Sequence, residues 1–394
     1  MALLDLWNTS PHQVRDKQLQ QLIAFAGLGK LIDGSDCSHE LRAFLSTVTS
    51  DHLVEYADQC LSQSFPDSGL ALQDVVNEIG IRIGATVTRG RYRGKPKTPG
   101  HDGLWLFPSN HAIIVEVKTT DAYRIDLDII AGYRKTLIEE GTIKEAHSSM
   151  LLIVGRQDTG DLEAQIRGSR HAWDLRIISV EALLRLMRIK EEVEDPLIIQ
   201  RIHDILIPRE FTRVDEIADI LFSAAQDIKQ ETVKAEHEDH GNEQTEESTR
   251  LAPVAFHDAC IARIALKLKC ILVKRTRSQY SNPDKNILVN CAVSKEHEPD
   301  SNPNYWFAFH PHQRDALQQA QEAYVAFGCG TSKQTLLIPY PEFSNWLEGM
   351  WTTVKGDRTY WHVAIYREQD KLLLRRKKGE GRIDVSHYMV VDDQ

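Results

Sequence analysis

Apolar positions in the first half of the chain follow two periods that alternate with one another. Apolar residues three and four positions apart predict amphipathic helices, and short β-branched runs predict strands. In chain order the predicted elements are helix 72–81, strand 85–88, strand 113–117, helix 127–140, strand 150–154, helix 161–171, strand 175–179 and helix 180–190. Strands that alternate with helices predict an α/β fold, with a mixed or parallel sheet flanked by helices.

Helical spacing also dominates the residues on either side of this region. Three helices are predicted within residues 1–65, the first with Pro11 in its opening turn. We expect this helical N-terminal region to cap the domain that follows. Helical spacing returns after residue 195, so the domain over residues 66–229 is expected to end in a helical extension.

Residues 230–250 show no apolar pattern. Seven of them are acidic and two are basic, which gives this stretch a net charge of −5. A segment so charged and so poor in apolar side chains is typical of a flexible, solvated linker. We therefore expect it to separate two domains.

The remaining residues, 251–394, are expected to form a separate α+β domain. The predicted elements are helix 256–268, strand 286–293, helix 312–325, strand 335–338 and a hairpin of strands 360–366 and 371–376. With 19 basic and 16 acidic residues this part is mildly basic, unlike the linker.

An aromatic cluster, Tyr305, Trp306 and Phe307, stands out in the second domain. Such rings either stack on nucleic-acid bases or form a hydrophobic core, and the sequence leaves both open. His310 and His312 have the spacing of a metal-ligand pair. No third and fourth ligands follow at suitable spacing, so a zinc site is not expected.

The composition narrows the class of protein. Apolar content of 42% and charged content of 26% are ordinary for a globular protein, and a net charge of −10 means that any surface for nucleic acid must be local. The six cysteines form no C-x-x-C pair, as expected for reduced thiols in the cytoplasm. No signal peptide and no membrane-spanning helix are expected.

Residues 99–120 carry the strongest chemical signal. Asp102 lies in a glycine-bounded turn, and fourteen residues later an apolar strand ends in Glu116-Val117-Lys118. Alternation along a strand puts Glu116 and Lys118 on the same face. Charged side chains on a core strand are costly unless they pair or hold a metal. Two carboxylates with a lysine suit Mg²⁺ and phosphodiester hydrolysis, although a capped turn and a structural ion pair are also open.

A basic ribbon leads into this turn. In extended backbone five side chains at alternate positions would project from one face and could contact a phosphate backbone: Arg89, Arg91, Arg93, Lys95 and Lys97. A solvated edge hairpin is the alternative interpretation.

The order Asp, then Glu-x-Lys at the end of an apolar strand, resembles the PD-(D/E)XK nuclease superfamily, whose restriction-endonuclease-like core is α-β-β-β-α-β. The resemblance covers residues 70–180. His101 precedes Asp102 where the family often has proline, although Pro99 lies close. The resemblance implies that Asp102 and Glu116 are metal ligands and that Lys118 is catalytic.

The same resemblance implies further members of the site. Glu78 matches a helical glutamate that often completes the metal site, and the Val117 carbonyl would join the metal ligands. Gln165 matches a polar residue that assists catalysis. Arg167, Arg170 and His171 on the same segment would bind the scissile phosphate, or they form a solvated face.

These features predict a Mg²⁺-dependent endonuclease that cuts DNA, with Mn²⁺ able to substitute, in prokaryotic restriction or anti-phage defence. A homodimer is expected for double-strand cleavage. A non-catalytic nucleic-acid-binding subunit of a multi-protein complex is the alternative, and an enzyme that cuts only when partner proteins of a defence system assemble it is a third interpretation.

Overall fold

A computed structural model describes residues 3–63, 65–93, 100–119, 125–155, 160–208, 253–296, 304–355, 358–369, 371–377 and 381–391. The chain divides into two compact units, Met1–Val233 and Lys234–Gln394. The predicted linker and the helical spacing after residue 208 lie outside the described residues. In the described ranges, no helix is long and apolar enough to cross a membrane.

The first unit begins with four helices, which are α1 (Leu3–Thr9), α2 (Leu19–Phe25), α3 (Asp36–Thr47) and α4 (Ser50–Ser62). Their buried side chains share one core with the helix and sheet that follow. The helix expected to start at Pro11 is broken, because only a short 3-10 turn, Pro11–Gln13, precedes α2.

The predicted helix over 72–81 is confirmed and is longer, as α5 (Ser68–Ile83). Its apolar side contacts the sheet, but the opposite side is not exposed to solvent. Asp74, Asn77 and Glu78 are at most 1% exposed. Because buried charges need partners, this helix must be paired with other polar groups.

A five-stranded mixed sheet lies against α5. Its strands are β1 (Thr86–Arg89), β2 (Gly103–Leu106), β3 (Ala112–Lys118), β4 (Ser148–Val154) and β5 (Leu175–Ser179). They are arranged in chain order. The pairs β1–β2 and β2–β3 are antiparallel, and the pairs β3–β4 and β4–β5 are parallel. The predicted mixed sheet flanked by helices is confirmed.

Helices cover both faces of this sheet. The other helices among the described residues of the unit are α6 (Leu127–Glu139), α7 (Gly160–Arg167), α8 (Val180–Glu192) and α9 (Pro196–Ile205). Ile113 and Val115 of β3 belong to the core shared with α5 and α8, whereas Ile114 points into a second core with α6 and α7. Glu116 and Lys118 have the same parity as Ile114 and therefore project on the α6 side.

The second unit contains helices α10 (Pro253–Leu268), α11 (Pro311–Gln319) and α12 (Tyr340–Ser344). The strands of its first sheet are β6 (Val273–Lys274), β7 (Gln279–Ser281), β8 (Ile287–Ser294), β10 (Glu322–Cys329) and β11 (Thr335–Pro339). They are arranged in the order β11-β10-β8-β7-β6. Helix α10 packs on one face of this sheet through a small core.

A second sheet packs on the other face, through a core to which both sheets contribute. Its strands are β9 (Asn304–Phe309), β12 (Thr352–Lys355), β13 (Arg358–Glu368), β14 (Lys371–Arg375) and β15 (Arg382–Asp384). Strand β9 pairs with one edge of β13, while β12 and β14 share its other edge, and β15 pairs with β14.

One sequence prediction in this unit is wrong. The helix expected over 312–325 ends at Gln319, and Glu322 begins the strand β10. This strand pairs on both edges, parallel to β8 and antiparallel to β11. Its aromatic and β-branched residues fit a strand between two partners, so pairing outweighs the local helical spacing.

Candidate active site

Asp102 lies directly before β2 and is held on three sides. Its backbone N–H donates to the Val115 carbonyl at 3.0 Å, and its own carbonyl accepts the Gly90 N–H at 2.9 Å. Two buried amides of α5 donate to the same carbonyl, Asn77 at 2.9 Å and Gln73 at 3.1 Å. The helix thus fixes the backbone of the aspartate and leaves its side chain for other contacts.

Asn77 connects this turn to the core. Its side-chain oxygen accepts the indole N–H of Trp105 at 3.0 Å while its amide donates to Asp102. A Cβ at Gly103 would lie 2.2 Å from that oxygen, so only glycine allows the close approach. Sequence reasoning assigned no role to Gln73 or Asn77, because polar residues on an amphipathic helix ordinarily face water.

The Asp102 side chain contacts the strand that bears the other charged residues. Its Oδ2 accepts the backbone N–H of Val117 at 2.7 Å. On the same strand the Lys118 Nζ donates to Glu116 Oε1 at 2.6 Å. The second oxygen of Glu116 is buried and has no hydrogen-bond partner among the described residues. The structure therefore brings Asp102, Glu116 and Lys118 together.

The pKa values of two groups in this cluster are shifted upward. Burial, followed by the Glu116 carboxylate, raises the pKa of Asp102 to about 7, although the Val117 N–H and Lys118 act in the opposite direction. Burial by itself lowers the pKa of Lys118, but Glu116, Asp102 and Tyr133 together raise it, and the net direction is upward. Two carboxylates with one ammonium leave an excess of negative charge that a cation would neutralise.

Tyr133 of α6 faces the same cluster and was not predicted as a site residue. Its pKa is raised, first by burial and then by Glu116, and both Lys118 and Asp102 also act on its hydroxyl. A Cβ at Gly100 would lie 2.9 Å from the Tyr133 hydroxyl oxygen, so this side chain packs against the turn before Asp102. In the sequence Tyr133 is indistinguishable from a residue of the apolar helix face.

Glu78 does not join the cluster. Its Oε1 pairs with Arg82 and its Oε2 with Arg89, both at 3.4 Å, and the glutamate is 1% exposed. Helix α5 lies on the opposite face of β3 from Glu116. Within the described residues, no group of three or more His, Cys, Asp or Glu side chains is placed to hold a metal ion.

The basic ribbon also differs from the prediction. Strand β1 ends at Arg89, whose side chain turns inward to Asp74 at 3.5 Å as well as to Glu78. The Tyr92 hydroxyl also bonds to Asp74, so residues 90–92 fold back over α5 and do not extend as a strand. Arg91 and Arg93 are exposed, and Lys95 and Lys97 lie outside the described residues.

The residues expected on the α7 segment have partners away from the cluster. Gln165 bonds through both ends of its amide to the backbone of Ile125, just before α6. Arg170 and His171 pair with Asp128 at 2.9 and 2.7 Å, and these contacts lower the pKa of Asp128. Arg167 pairs with Glu163 at 3.6 Å on an exposed helix surface.

The predicted stacking residues divide between two faces of β9. Tyr305 and Phe307 are 1% and 3% exposed and belong to the core, whereas Trp306 is 41% exposed on the opposite face. The core interpretation therefore applies to Tyr305 and Phe307, which cannot stack on a base while buried.

No protein-family model matches this chain, and no curated protein matches it. The assignment of a function therefore rests on the geometry of the site.

Proposed function

We propose that this chain is a Mg²⁺-dependent endodeoxyribonuclease, an enzyme that hydrolyses phosphodiester bonds within DNA. The observation that carries the proposal is the cluster of Asp102, Glu116 and Lys118. One carboxyl has a pKa raised to about 7, and the other keeps a buried oxygen without a partner among the described residues. Folding alone does not favour such an arrangement, because an unsatisfied buried carboxylate oxygen is destabilising.

The order of elements supports a restriction-endonuclease-like fold for this part of the chain. Helix α5, the antiparallel strands β1, β2 and β3, then α6 and the parallel strand β4 follow the order that the PD-(D/E)XK resemblance implies. Asp102 precedes the second strand, and Glu116 and Lys118 lie on the third. These are the positions that the resemblance gives to the metal ligands and the lysine.

The donor atoms fit Mg²⁺. This ion prefers hard oxygen ligands and is ordinarily held by one or two carboxylates together with waters and substrate phosphates. Asp102 and Glu116 supply two carboxylates, and the orphaned Glu116 oxygen has no competing protein donor in the described structure. The Val117 carbonyl stays a proposed third ligand, and Glu78 is omitted because both of its oxygens are paired.

Each residue of the cluster has a separate proposed role in hydrolysis. When bound, Mg²⁺ supplies polarisation of the scissile phosphate and activation of water. Asp102 and Glu116 would hold the ion, and the Val117 N–H orients Asp102. Lys118 donates a hydrogen bond toward the attacking oxygen and stabilises negative charge that develops on the phosphate. Tyr133 presents its hydroxyl to the same space.

The proposed setting is the prokaryotic cytoplasm, in restriction or anti-phage defence. Cleavage of both strands of a duplex requires two active sites, so we propose that the enzyme acts as a homodimer or with partner proteins of a defence system. Arg91 and Arg93 are exposed and are proposed to contact the DNA backbone.

The proposal is tested with purified protein and supercoiled plasmid DNA. Methylated, unmethylated and phage DNA should each be incubated with Mg²⁺, Mn²⁺ or EDTA, and the products separated on agarose gels. We expect nicked or linear products with at least one DNA and either metal ion, and none in EDTA. Absence of cleavage on every DNA, together with retained DNA binding, would favour the non-catalytic nucleic-acid-binding subunit.

A further inference from the structure

The second sheet of the second unit has one face in the core and one face that bears aromatic rings. Along β9 the residues alternate, so that Tyr305 and Phe307 are buried while Trp306 is 41% exposed. The register places Trp306 opposite Ala364 and Ala308 opposite His362 of β13. Trp306 and His362 therefore each have an alanine as their cross-strand neighbour. This outward side of β9, β12, β13, β14 and β15 is called the aromatic face.

The rings of the aromatic face contact one another across the strands. The Trp306 ring meets Tyr360 edge-on with centroids 6.2 Å apart, and it meets His362 at 5.6 Å. Tyr360 and His362 are 5.0 Å apart. Trp351, directly before β12, is 39% exposed, and its carbonyl accepts the backbone N–H of His362. Large exposed rings grouped in this way indicate a binding surface.

Hydrogen bonds fix the central rings in place. The indole N–H of Trp306 donates to His362 Nδ1 at 3.1 Å, so Nδ1 is an acceptor and a neutral His362 carries its proton on Nε2. That Nε2 lies 2.6 Å from the Thr353 hydroxyl oxygen, to which it donates. Rings that are already ordered lose little conformational entropy when a ligand binds.

Positive charge lies beside these rings. Arg375 is opposite Ala364 in the register, so Trp306, Ala364 and Arg375 form a row across three strands. The guanidinium groups of Arg375 and Arg382 lie over the Tyr366 ring, at 5.0 and 5.4 Å from its centroid. Two strand spacings separate Trp306 from Arg375, roughly 10 Å between backbones.

The carboxylates described on this face lie away from the Trp306 end and are already paired. Glu368 pairs with Arg382 at 2.7 Å, and Asp384 pairs with Lys371 at 3.0 Å. The face thus combines fixed aromatic rings, alanines opposite two of them and arginines at one side. Flat, apolar groups joined to negative charges complement this combination.

We propose that the aromatic face binds the unpaired bases of single-stranded DNA. Bases stack on Trp306 and on Tyr360 or His362, and Arg375 contacts the phosphate that follows. Unpaired bases fit because their ring faces are free, whereas bases within a duplex are stacked on one another. The choice of DNA over RNA rests on the proposed function, but the stacking itself does not depend on cleavage.

The test measures binding of a fluorescein-labelled 20-nucleotide oligothymidylate to the full-length chain by fluorescence anisotropy. EDTA is present throughout, so no cleavage occurs. Trp306→Ala should weaken binding roughly tenfold, because one base–aromatic stack is lost, while Trp306→Phe should retain most of the affinity. Arg375→Ala should weaken binding. It should also reduce the slope of the logarithm of affinity against the logarithm of salt concentration by about one. Trp173→Ala removes an exposed tryptophan of the first unit, 70% exposed, and should have no effect.

Three results would overturn the proposal. The first is equal affinity of wild type, Trp306→Ala and Tyr360→Ala, with thermal melts that show all three folded. The second is an affinity for a duplex of the same length, or for an RNA strand of the same length, that equals the affinity for the oligothymidylate. The third is dissociation of a wild-type dimer by Trp306→Ala, which would make the face a contact between two copies. Because binding is measured in EDTA, where no cleavage occurs, a failed nuclease assay leaves this result interpretable.

Discussion

The carboxylate of Asp102 accepts the backbone N–H of Val117 at 2.7 Å, so the residue between Glu116 and Lys118 holds the aspartate in place. One stretch of β3 thereby carries a carboxylate, a lysine and the donor that orients a second carboxylate, which lies directly before β2. The register of β2 and β3, in which Gly103 is opposite Val115, keeps these groups together. The pairing of these two strands therefore brings together residues that are 14 to 16 positions apart in the sequence.

The stability of the metal-free protein should depend on the ionisation of Asp102. Its pKa in the fold, about 7, lies above the ordinary value of 3.8, so the ionised form is the destabilising one. The free energy of unfolding should therefore fall as pH rises from about 4 to about 7. Asp102→Asn keeps an oxygen for the Val117 N–H but cannot ionise, and at pH 8 it should be more stable than wild type by on the order of 1–4 kcal/mol.

Urea unfolding in EDTA at pH 4 and at pH 8 checks this prediction. The difference between Asp102→Asn and wild type should be present at pH 8 and absent at pH 4. A difference of the same size at both pH values would mean that the variant acts through packing, not through charge.

Binding of Mg²⁺ should release a proton. Because the raised pKa leaves Asp102 partly protonated below pH 7, the ion must displace that proton to use the carboxylate. The affinity for Mg²⁺ should rise by about tenfold per pH unit between pH 5 and pH 7 and then level off. Isothermal titration calorimetry in buffers of different ionisation enthalpy measures both quantities, and an affinity independent of pH would contradict the site.

Glu78 should matter for stability. Its removal in Glu78→Ala leaves Arg82 and Arg89 without one of their buried partners, which should cost about 3 kcal/mol. Glu139→Ala, which breaks an exposed pair with Lys135, is the control and should cost less than about 0.5 kcal/mol. Denaturant unfolding gives both values. Under conditions where Glu78→Ala is folded, it should still cleave DNA, and a complete loss of cleavage there would return Glu78 to the metal site.

Tyr133 should contribute to the rate of cleavage through its hydroxyl. Loss of one neutral hydrogen bond in Tyr133→Phe predicts a decrease of roughly three- to tenfold in the rate, with the fold unchanged. Thr136→Ala, on the same helix, is the matched control, because the Thr136 hydroxyl donates to the Gly132 carbonyl at 3.0 Å. Rates of plasmid nicking at saturating Mg²⁺ decide the matter, and identical rates for Tyr133→Phe and wild type would exclude the hydroxyl.

The sequence predicts the elements of the first sheet well where apolar runs are long. Strand β3 is observed within one residue of the predicted ends, and α6 ends one residue before the predicted position. Burial of those runs is encoded locally, by period and by β-branching. The failure at β10 has the opposite cause, because the spacing of residues 312–325 is consistent with a helix and only pairing with β8 and β11 selects the strand.

The residues of the candidate site likewise divide into those that the sequence predicts and those that it does not. Asp102, Glu116 and Lys118 could be found because a short pattern brings them onto neighbouring strands. The inward turn of Arg89 could not, because its partners Asp74 and Glu78 are on a preceding helix that periodicity describes as amphipathic. Tyr133 could not either, since an aromatic residue that faces charged groups has the same spacing as one that faces a core.

The central claim is that Lys118 acts in a phosphodiester-cleaving centre, and the rate of plasmid cleavage by Lys118→Ala tests it most directly. Single-turnover rates with Mg²⁺ should be compared for wild type, Lys118→Ala and Lys135→Ala, the last of which removes an exposed lysine of α6. We expect Lys118→Ala to lose about a hundredfold or more in rate, on the scale of a lost group that stabilises developing charge, and Lys135→Ala to match wild type. Equal rates for all three proteins would contradict the account.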